Sequence, residues 1–250
     1  MSATRAIVGE GTDGRDWQRW LMAAPCATRP VDHWLGEQQR LVVVAPHPDD
    51  EVLACGGLMA LHTARGGETL VIAVSDGEAS HAGIPGWDAP RLAHARRAES
   101  VDGLQRLGAG GAPVLRLGLP DGHVSAHLDR LPGMLAGVLQ RSDVVVTTWQ
   151  LDGHPDHDAT GLAAARACRV AGCRLLEAPV WMWHWAAPGD ARVPWHRLAS
   201  VPLDADTVRR KQSALAAHTT QLQLRNARCG PVLGASIQAR AAWSDEYFFA

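Results

Sequence analysis

Lysine, tyrosine and phenylalanine are almost missing from this chain, and the shortages narrow what it can be. Lys211 is the only lysine and Tyr247 the only tyrosine among 250 residues, with two phenylalanines. The remaining basic residues are scattered arginines, and the formal net charge is -2. There is no basic run to act as an electrostatic footprint for nucleic acid or an anionic membrane, so neither partner is expected. The five cysteines are odd in number and contain no Cys-x-x-Cys pair, which excludes a disulfide framework and fits free thiols in a reducing cytoplasm. No apolar run approaches the roughly 20 residues of a membrane helix, and no charged and then apolar leader opens the chain. A soluble, cytoplasmic protein is the expectation. Internal repeats and low-complexity tracts are also missing.

What is present is an alternation of apolar strand-like runs and helix-like periods. Leu41 to Ala45, Thr69 to Val74, Val114 to Leu117 and Val144 to Thr148 read as strands. Helices are predicted between and after them, over about 50–65, 90–107, 128–139 and 155–170. This rhythm makes βαβ units, and right-handed crossovers turn them into a Rossmann-like, mostly parallel sheet with helices on both faces in a single α/β domain. Residues 1–39 read as an N-terminal extension packed on a domain spanning 40–250, with Pro25 and Pro30 breaking it. Beyond residue 174 the pattern loosens. The alternation of Trp181, Trp183 and Trp185 predicts a strand with one packed face that could also wall a sugar site, and places His184 on the opposite face. A helix over 204–221 with Asp204 as N-cap follows.

Two polar clusters sit at strand exits. Pro46-His47-Pro48-Asp49-Asp50-Glu51 follows the first strand, and Asp152-Gly153-His154-Pro155-Asp156-His157 follows Val144 to Thr148. In a doubly wound sheet, ligands bind outside the carboxyl ends of the strands where such loops converge, so the clusters are expected to form one site. His47 and Asp50 lie three apart, as do His154 and His157, and can share a side of a helix entry. Three nitrogen or oxygen ligands with an open fourth position describe a catalytic zinc site, although His and carboxylate donors suit iron as well. Such an ion brings the pKa of water to about 7. Asp49, next to the ligand Asp50, is placed to take the water proton. His154, not needed as a ligand, suits the stabilising of a developing oxyanion as a protonated imidazole.

These residues resemble the PIG-L (LmbE-like) N-deacetylase family, which acts on N-acetylated amino sugars and glycoconjugates. Beyond the two clusters, the resemblance covers Thr69 to Glu78, Arg96-Arg97-Ala98-Glu99, Leu117 to Gly122, Lys211 to Gln221 and Asp245 to Phe248. It implies zinc on His47, Asp50 and His157, Asp49 as general base and His154 as partner of the oxyanion and leaving group. It also implies substrate contacts from Arg96 and Asp121. One departure is visible: Asp152 stands where some members carry a tyrosine.

Blander readings exist for several of these residues. Arg96 could be a solvated partner of Glu99, and Asp121 in Leu119-Pro120-Asp121-Gly122 is a strong turn signature. Glu51 reads as a first-turn acid at the positive end of a helix, Asp156 as an orienting partner or an exposed acid. Gly56-Gly57 lacks dinucleotide-fingerprint spacing and reads as close helix packing. The expected function is a Zn2+-dependent hydrolase releasing acetate from an acetylated amino sugar or glycoconjugate. A zinc amidase for a non-sugar N-acyl amine and an inactive Rossmann-like binding protein are the alternatives. Neither the acceptor nor the oligomeric state is written in the sequence.

Overall fold

Leu41 to Ala45 and Val144 to Thr148 are buried at every position, as strands covered on both faces must be. The computed structural model describes residues 5–23, 26–227 and 229–250; Pro25 lies outside the described residues. The strands are β1 (Ala27–Thr28), β2 (Leu41–Ala45), β3 (Thr69–Ala73), β4 (Val114–Arg116), β5 (Val144–Thr148), β6 (Arg174–Ala178), β7 (Leu198–Pro202) and β8 (Asp245–Phe249). They form one sheet in the order β1-β7-β8-β6-β5-β2-β3-β4. Only β8 runs antiparallel, between β6 and β7.

The helices are α1 (Gly14–Ala23), α2 (Val31–Trp34), α3 (Asp50–Ala64), α4 (Ala89–Leu107), α5 (Leu131–Ala136), α6 (Pro155–Ala171), α7 (Met182–Trp185), α8 (Ala205–Leu215), α9 (Thr219–Leu222) and α10 (Ala235–Arg240). Strand alternation sorts them. Leu41, Val43, Val144 and Val146 face Leu58 of α3, Leu107 of α4 and Leu215 of α8. Val42, Val44 and Val145 face Leu131 and Leu135 of α5 and Ala163 of α6. From β2 the chain moves outward through β3 and β4, then returns to place β5 on the other side of β2. The β2 and β5 exits therefore flank the switch point, where an open α/β sheet leaves a crevice.

The structure departs from the expected elements in three places. The helix expected over 128–139 is a 3-10 turn, Val124–His127, followed by the short α5. The helix expected to run from Asp204 to Gln221 stops at Leu215; Asp204 does cap it, accepting from the Thr207 N–H at 2.7 Å. A new start at α9 is imposed from outside, because the Glu99 carboxylate takes the Thr220 N–H and the hydroxyls of Thr219 and Thr220. The Trp181-to-Trp185 segment is not a strand: it folds into α7, with Trp183 buried against Trp17 and Trp243. Its period misleads because the N–H groups of Val180, Trp181 and Met182 are all gathered by one distant carboxylate, Asp152.

The single lysine has a structural post. Helix α3 kinks at Cys55 (φ -153°, ψ 27°), and the N–H groups of Gly57 and Leu58 donate to Glu246 at 2.6 and 2.7 Å. Gly57 permits the approach, since a Cβ there would meet Leu203 at 2.6 Å. Lys211 Nζ bonds the same carboxylate at 2.6 Å, and both side chains are buried. Removing one member of a buried pair leaves the other charge uncompensated. Lys211→Met is therefore expected to lower unfolding free energy by about 3–5 kcal/mol in urea denaturation, and an unchanged midpoint would refute the pairing.

Candidate metal centre

The β2–α3 turn carries three side chains into the crevice at the cost of local strain. Asp49 has φ 131°, the one positive φ outside glycine among the described residues, a conformation costing roughly 1–3 kcal/mol that surrounding bonds must hold. Those bonds are present. The Asp49 N–H donates to Glu51 Oε2 at 2.9 Å, and Ser100 Oγ donates to Glu51 Oε1 at 2.6 Å. Arg96 reaches from α4 to donate to Pro48 O at 2.8 Å, Gly77 O at 2.8 Å and Asp49 Oδ2 at 3.2 Å. Gly77, at φ +66°, leaves the space its guanidinium occupies.

Asp50 Oδ2 is the meeting point of both clusters. His47 Nδ1 lies 3.1 Å from it and His157 Nε2 3.2 Å. His47, Asp50 and His157 form a buried set whose donor atoms all lie within 4.8 Å of one another. Each imidazole has its far nitrogen on a carboxylate: His157 Nδ1 is 2.8 Å from Asp152 Oδ2, and His47 Nε2 is 3.1 Å from Asp121 Oδ1 and 3.4 Å from Asp156 Oδ2. Metal-ligating histidines are fixed in tautomer and orientation by this kind of outer contact. A second grouping, His47 with Asp121 and Asp156, also falls within ligand range. Its acids are already engaged, Asp156 by the N–H groups of Gly122 and Val124 and Asp121 by that of Ala79. The first set, with two nitrogens and an oxygen from both clusters, is the one that matches a catalytic zinc site.

The charges describe a site built for a cation. Burial lowers the affinity of His157 for a proton, but Asp50 and Asp152 outweigh it and raise its pKa to about 9. For His47 burial is likewise overcome, by hydrogen bonds to Asp121, Asp156 and Asp50 that raise it well above the ordinary imidazole value. In both, protons hold the place that a divalent ion would take. Burial pushes Asp49 up to about 8 against the opposing pull of Arg96, with Asp50 adding. A bound cation would bring it back down.

His154, expected as a protonated group, sits where its surroundings disfavour the proton. Burial, then the neighbouring His157 and His47, lower its pKa to about 4. It caps α6 with Nδ1 accepting from the Asp156 N–H at 3.3 Å, which leaves Nε2 as an N–H donor. Its ring lies 5.1 Å from that of His47 and nearly parallel to Trp181 at 6.5 Å.

A cavity of about 350 Å³ opens over this cluster. His47, Asp49, Asp50, His154 and His157 line it, and so do Arg96 and Asp121. Arg96 is thus buried against Asp49 rather than solvated beside Glu99. Four residues have roles here that the sequence did not reveal. Asp152 was visible only as a ligand-type residue before a His-Pro-Asp-His run; its orienting role depends on the later segment that closes over it. Glu51 is buried and braces Asp49 in addition to standing in the first turn. Gln221 and Arg225 reach the rim from the far end of the chain, with no local signal.

Comparison with known proteins agrees with this architecture. The model of the family described as PIG-L: GlcNAc-PI de-N-acetylase matches residues 42–168, the stretch holding every residue from His47 to His157 named above. A 1D-myo-inositol 2-acetamido-2-deoxy-alpha-D-glucopyranoside deacetylase of Tsukamurella paurometabola is 29% identical over 255 residues, spanning 77% of this chain and 85% of its own length. Among solved structures, the antimicrobial reagent A40926 pseudoaglycone deacetylase Dbv21 aligns with TM-score 0.60 and 24% identity over 85% of this chain and 96% of that one. The zinc inhibited form of teicoplanin deacetylase Orf2 aligns with TM-score 0.63 and 17% identity, over 84% of this chain and 97% of its own. At these identities both show a shared fold. Among the described residues, no helix is long and apolar enough to cross a membrane.

The Asp152 contact yields a measurable expectation. Asp152→Ala removes the partner of His157 Nδ1 and should weaken metal binding by about 10–100-fold in a competition titration with a chromogenic chelator. Unchanged affinity in a folded variant would show that His157 is oriented by something else.

Proposed function

The chain belongs to the PIG-L, GlcNAc-PI de-N-acetylase family, and on that premise we propose that it is a zinc-dependent hydrolase removing the acetyl group from an N-acetylated amino sugar or glycoconjugate. The observation that carries the reading is the buried trio of His47, Asp50 and His157 with the strained Asp49 carboxylate beside it in one cavity. His47, Asp50 and His157 would hold the ion, and a two-nitrogen, one-oxygen set suits zinc. When bound, it supplies Lewis-acid chemistry, polarising the amide carbonyl and making water acidic enough to attack near neutrality.

The chain's own residues do the rest. Asp49 accepts the proton of the attacking water and returns it to the departing amine. Arg96 fixes one Asp49 oxygen, and the backbone strain aims the carboxylate inward. His154, neutral and held at Nδ1, offers its Nε2–H to the oxyanion that develops on the amide oxygen. Asp121 orients His47 from within the cavity wall and stands close enough to meet substrate. Trp181 gives an amino sugar an aromatic face beside His154. Five unpaired cysteines support a reducing, cytoplasmic setting.

Two measurements test this reading. Asp49→Asn should lower kcat for acetate release from N-acetylated sugars by about 10²–10⁴-fold with metal content unchanged, whereas His157→Ala should lose both metal and turnover. Full activity in His157→Ala would refute the ligand assignment. The pH profile gives an independent check with a definite sign. Asp49 acts ionised, so activity rises with pH through its pKa, and Arg96 is among the groups holding that pKa down. Arg96→Met should move the acidic limb of kcat/KM to higher pH and reduce activity at pH 7 by about tenfold. A loss equal at every pH would mean that Arg96 acts only as a brace.

A further inference from the structure

Trp181 stands between two spaces. It lines the cavity over the metal centre and also a neighbouring cavity of about 560 Å³, whose other walls include Ile7, Gly9, Glu10 and His184. Asp152 fixes the backbone on which Trp181 stands, but a backbone bond leaves the side-chain torsions of the indole to be settled by packing. Among the described residues its indole N–H has no hydrogen bond. Two rings meet it instead. His154, from the metal-centre cavity, lies nearly parallel to it at 6.5 Å, and His184, from the other space, stands edge-on at 5.8 Å and 74°. The second contact is a product of α7. In a strand Trp181 and His184 would face opposite ways, whereas at a helix start residues three apart share a side.

His184 is itself held from outside, by a clamp of residues 8–12. Its Nε2 lies 3.1 Å from Val8 O, and because a carbonyl only accepts, this nitrogen carries the proton and donates. The Thr12 N–H donates to His184 O at 3.0 Å, and Thr12 Oγ1 donates to Ala186 O at 2.5 Å. Gly11, at φ +71°, passes so close over the imidazole that a Cβ there would collide with Nδ1. The clamp is anchored at both ends: Ser236 Oγ donates to Glu10 O at 3.1 Å, and just beyond it Trp17 Nε1 donates to Trp183 O at 2.8 Å. His184 is buried beneath it. Neither the clamp nor the ring it holds falls within residues 42–168, the stretch matched by the family model.

We propose that His184 is a positioning residue: held by residues 8–12, its ring edge keeps the Trp181 indole in place and so sets the affinity of the metal-centre cavity for substrate. The N-terminal segment is then a working part of the site, although none of its side chains lines that cavity. The effect on affinity rests on the deacetylase reading; the hold on Trp181 does not. His184 is not among the residues lining the metal-centre cavity, so its loss falls on KM rather than kcat. An edge-to-face ring contact is of a size to change affinity about three- to tenfold.

The test uses the full-length, metal-loaded protein and a wedge placed outside the site. Gly11→Val puts a side chain where the imidazole lies and lifts the clamp; His184→Leu removes the ring edge directly, should the first variant misfold. Acrylamide quenching of tryptophan fluorescence reads the indole without any substrate. The part of the quenching that disappears in Trp181→Ala belongs to Trp181, and that part is expected to grow in either variant and to show no change when the variant is combined with Trp181→Ala. Kinetics read the consequence. For acetate release from N-acetylglucosamine, KM is expected to rise about three- to tenfold with kcat and metal content unchanged, and the rise should vanish in the Trp181→Ala background. Trp181 quenching unmoved by both variants would overturn the proposal, and so would an unchanged KM, a KM shift that persists without Trp181, or an equal fall in kcat. If no acetate is released while the Trp181 signal moves as expected, the deacetylase reading fails and the hold of His184 on Trp181 stands.

Discussion

Burying a carboxylate without a cation is among the most expensive things a fold can do, and the centre of this molecule buries five of them around two imidazoles. Asp50 sits between His47 and His157, and Asp121, Asp152 and Asp156 take the outer nitrogens of those rings. Asp49 completes the group, with Arg96 as its counter-ion. Every one of these acids is also tied to backbone N–H groups or to a charged partner. What holds the acids together is positive charge, whether as protons on the two histidines or as a divalent ion in their stead. The surrounding fold can be understood as the apparatus that keeps this charge in place: two parallel strands in register, two helices starting at their ends, and a loop at Asp49 forced into an unfavourable conformation.

Much of this was readable from sequence because it is local. The all-apolar runs at Leu41 and Val144 could only be covered strands, and ligand-type residues at both exits could only converge if those strands lay side by side, as they do. The spacing of His47 and Asp50 worked because Asp50 opens α3. What escaped depends on residues far apart in the chain. The tryptophan alternation looked like a strand because nothing within those residues reveals that Asp152, about thirty positions earlier, collects three consecutive N–H groups and bends them into a helix. The break between α8 and α9 has the same origin, since the cap on α9 is Glu99. The environment of His154 is also non-local: its Nδ1 caps α6, and burial beside two other imidazoles lowers its pKa.

The scarcity of lysine acquires a meaning in the folded chain. Lys211 is spent inside, on Glu246, where the kink of α3 meets β8. That kink lies about one and a half turns after Asp50, so the pair bears on the helix that carries a candidate metal-binding carboxylate at its first residue. A compact ammonium with three donors reaches both Glu246 and the Leu53 carbonyl, a task less suited to the planar fork of the arginines used elsewhere.

Asp152 carries a wider implication. One of its oxygens fixes His157, and the same carboxylate fastens the backbone from Val180 to Met182, which presents Trp181 to the cavity. The candidate ligand His157 and the aromatic platform thus hang from a single peg. Drift of the platform would be felt as tilt of a ligand, so selection for new acceptors has little freedom there without disturbing catalysis. Diversification would instead be channelled to the rim that Asp152 does not touch, where Gln221 and Arg225 reach the cavity and residues can change while His157 stays put.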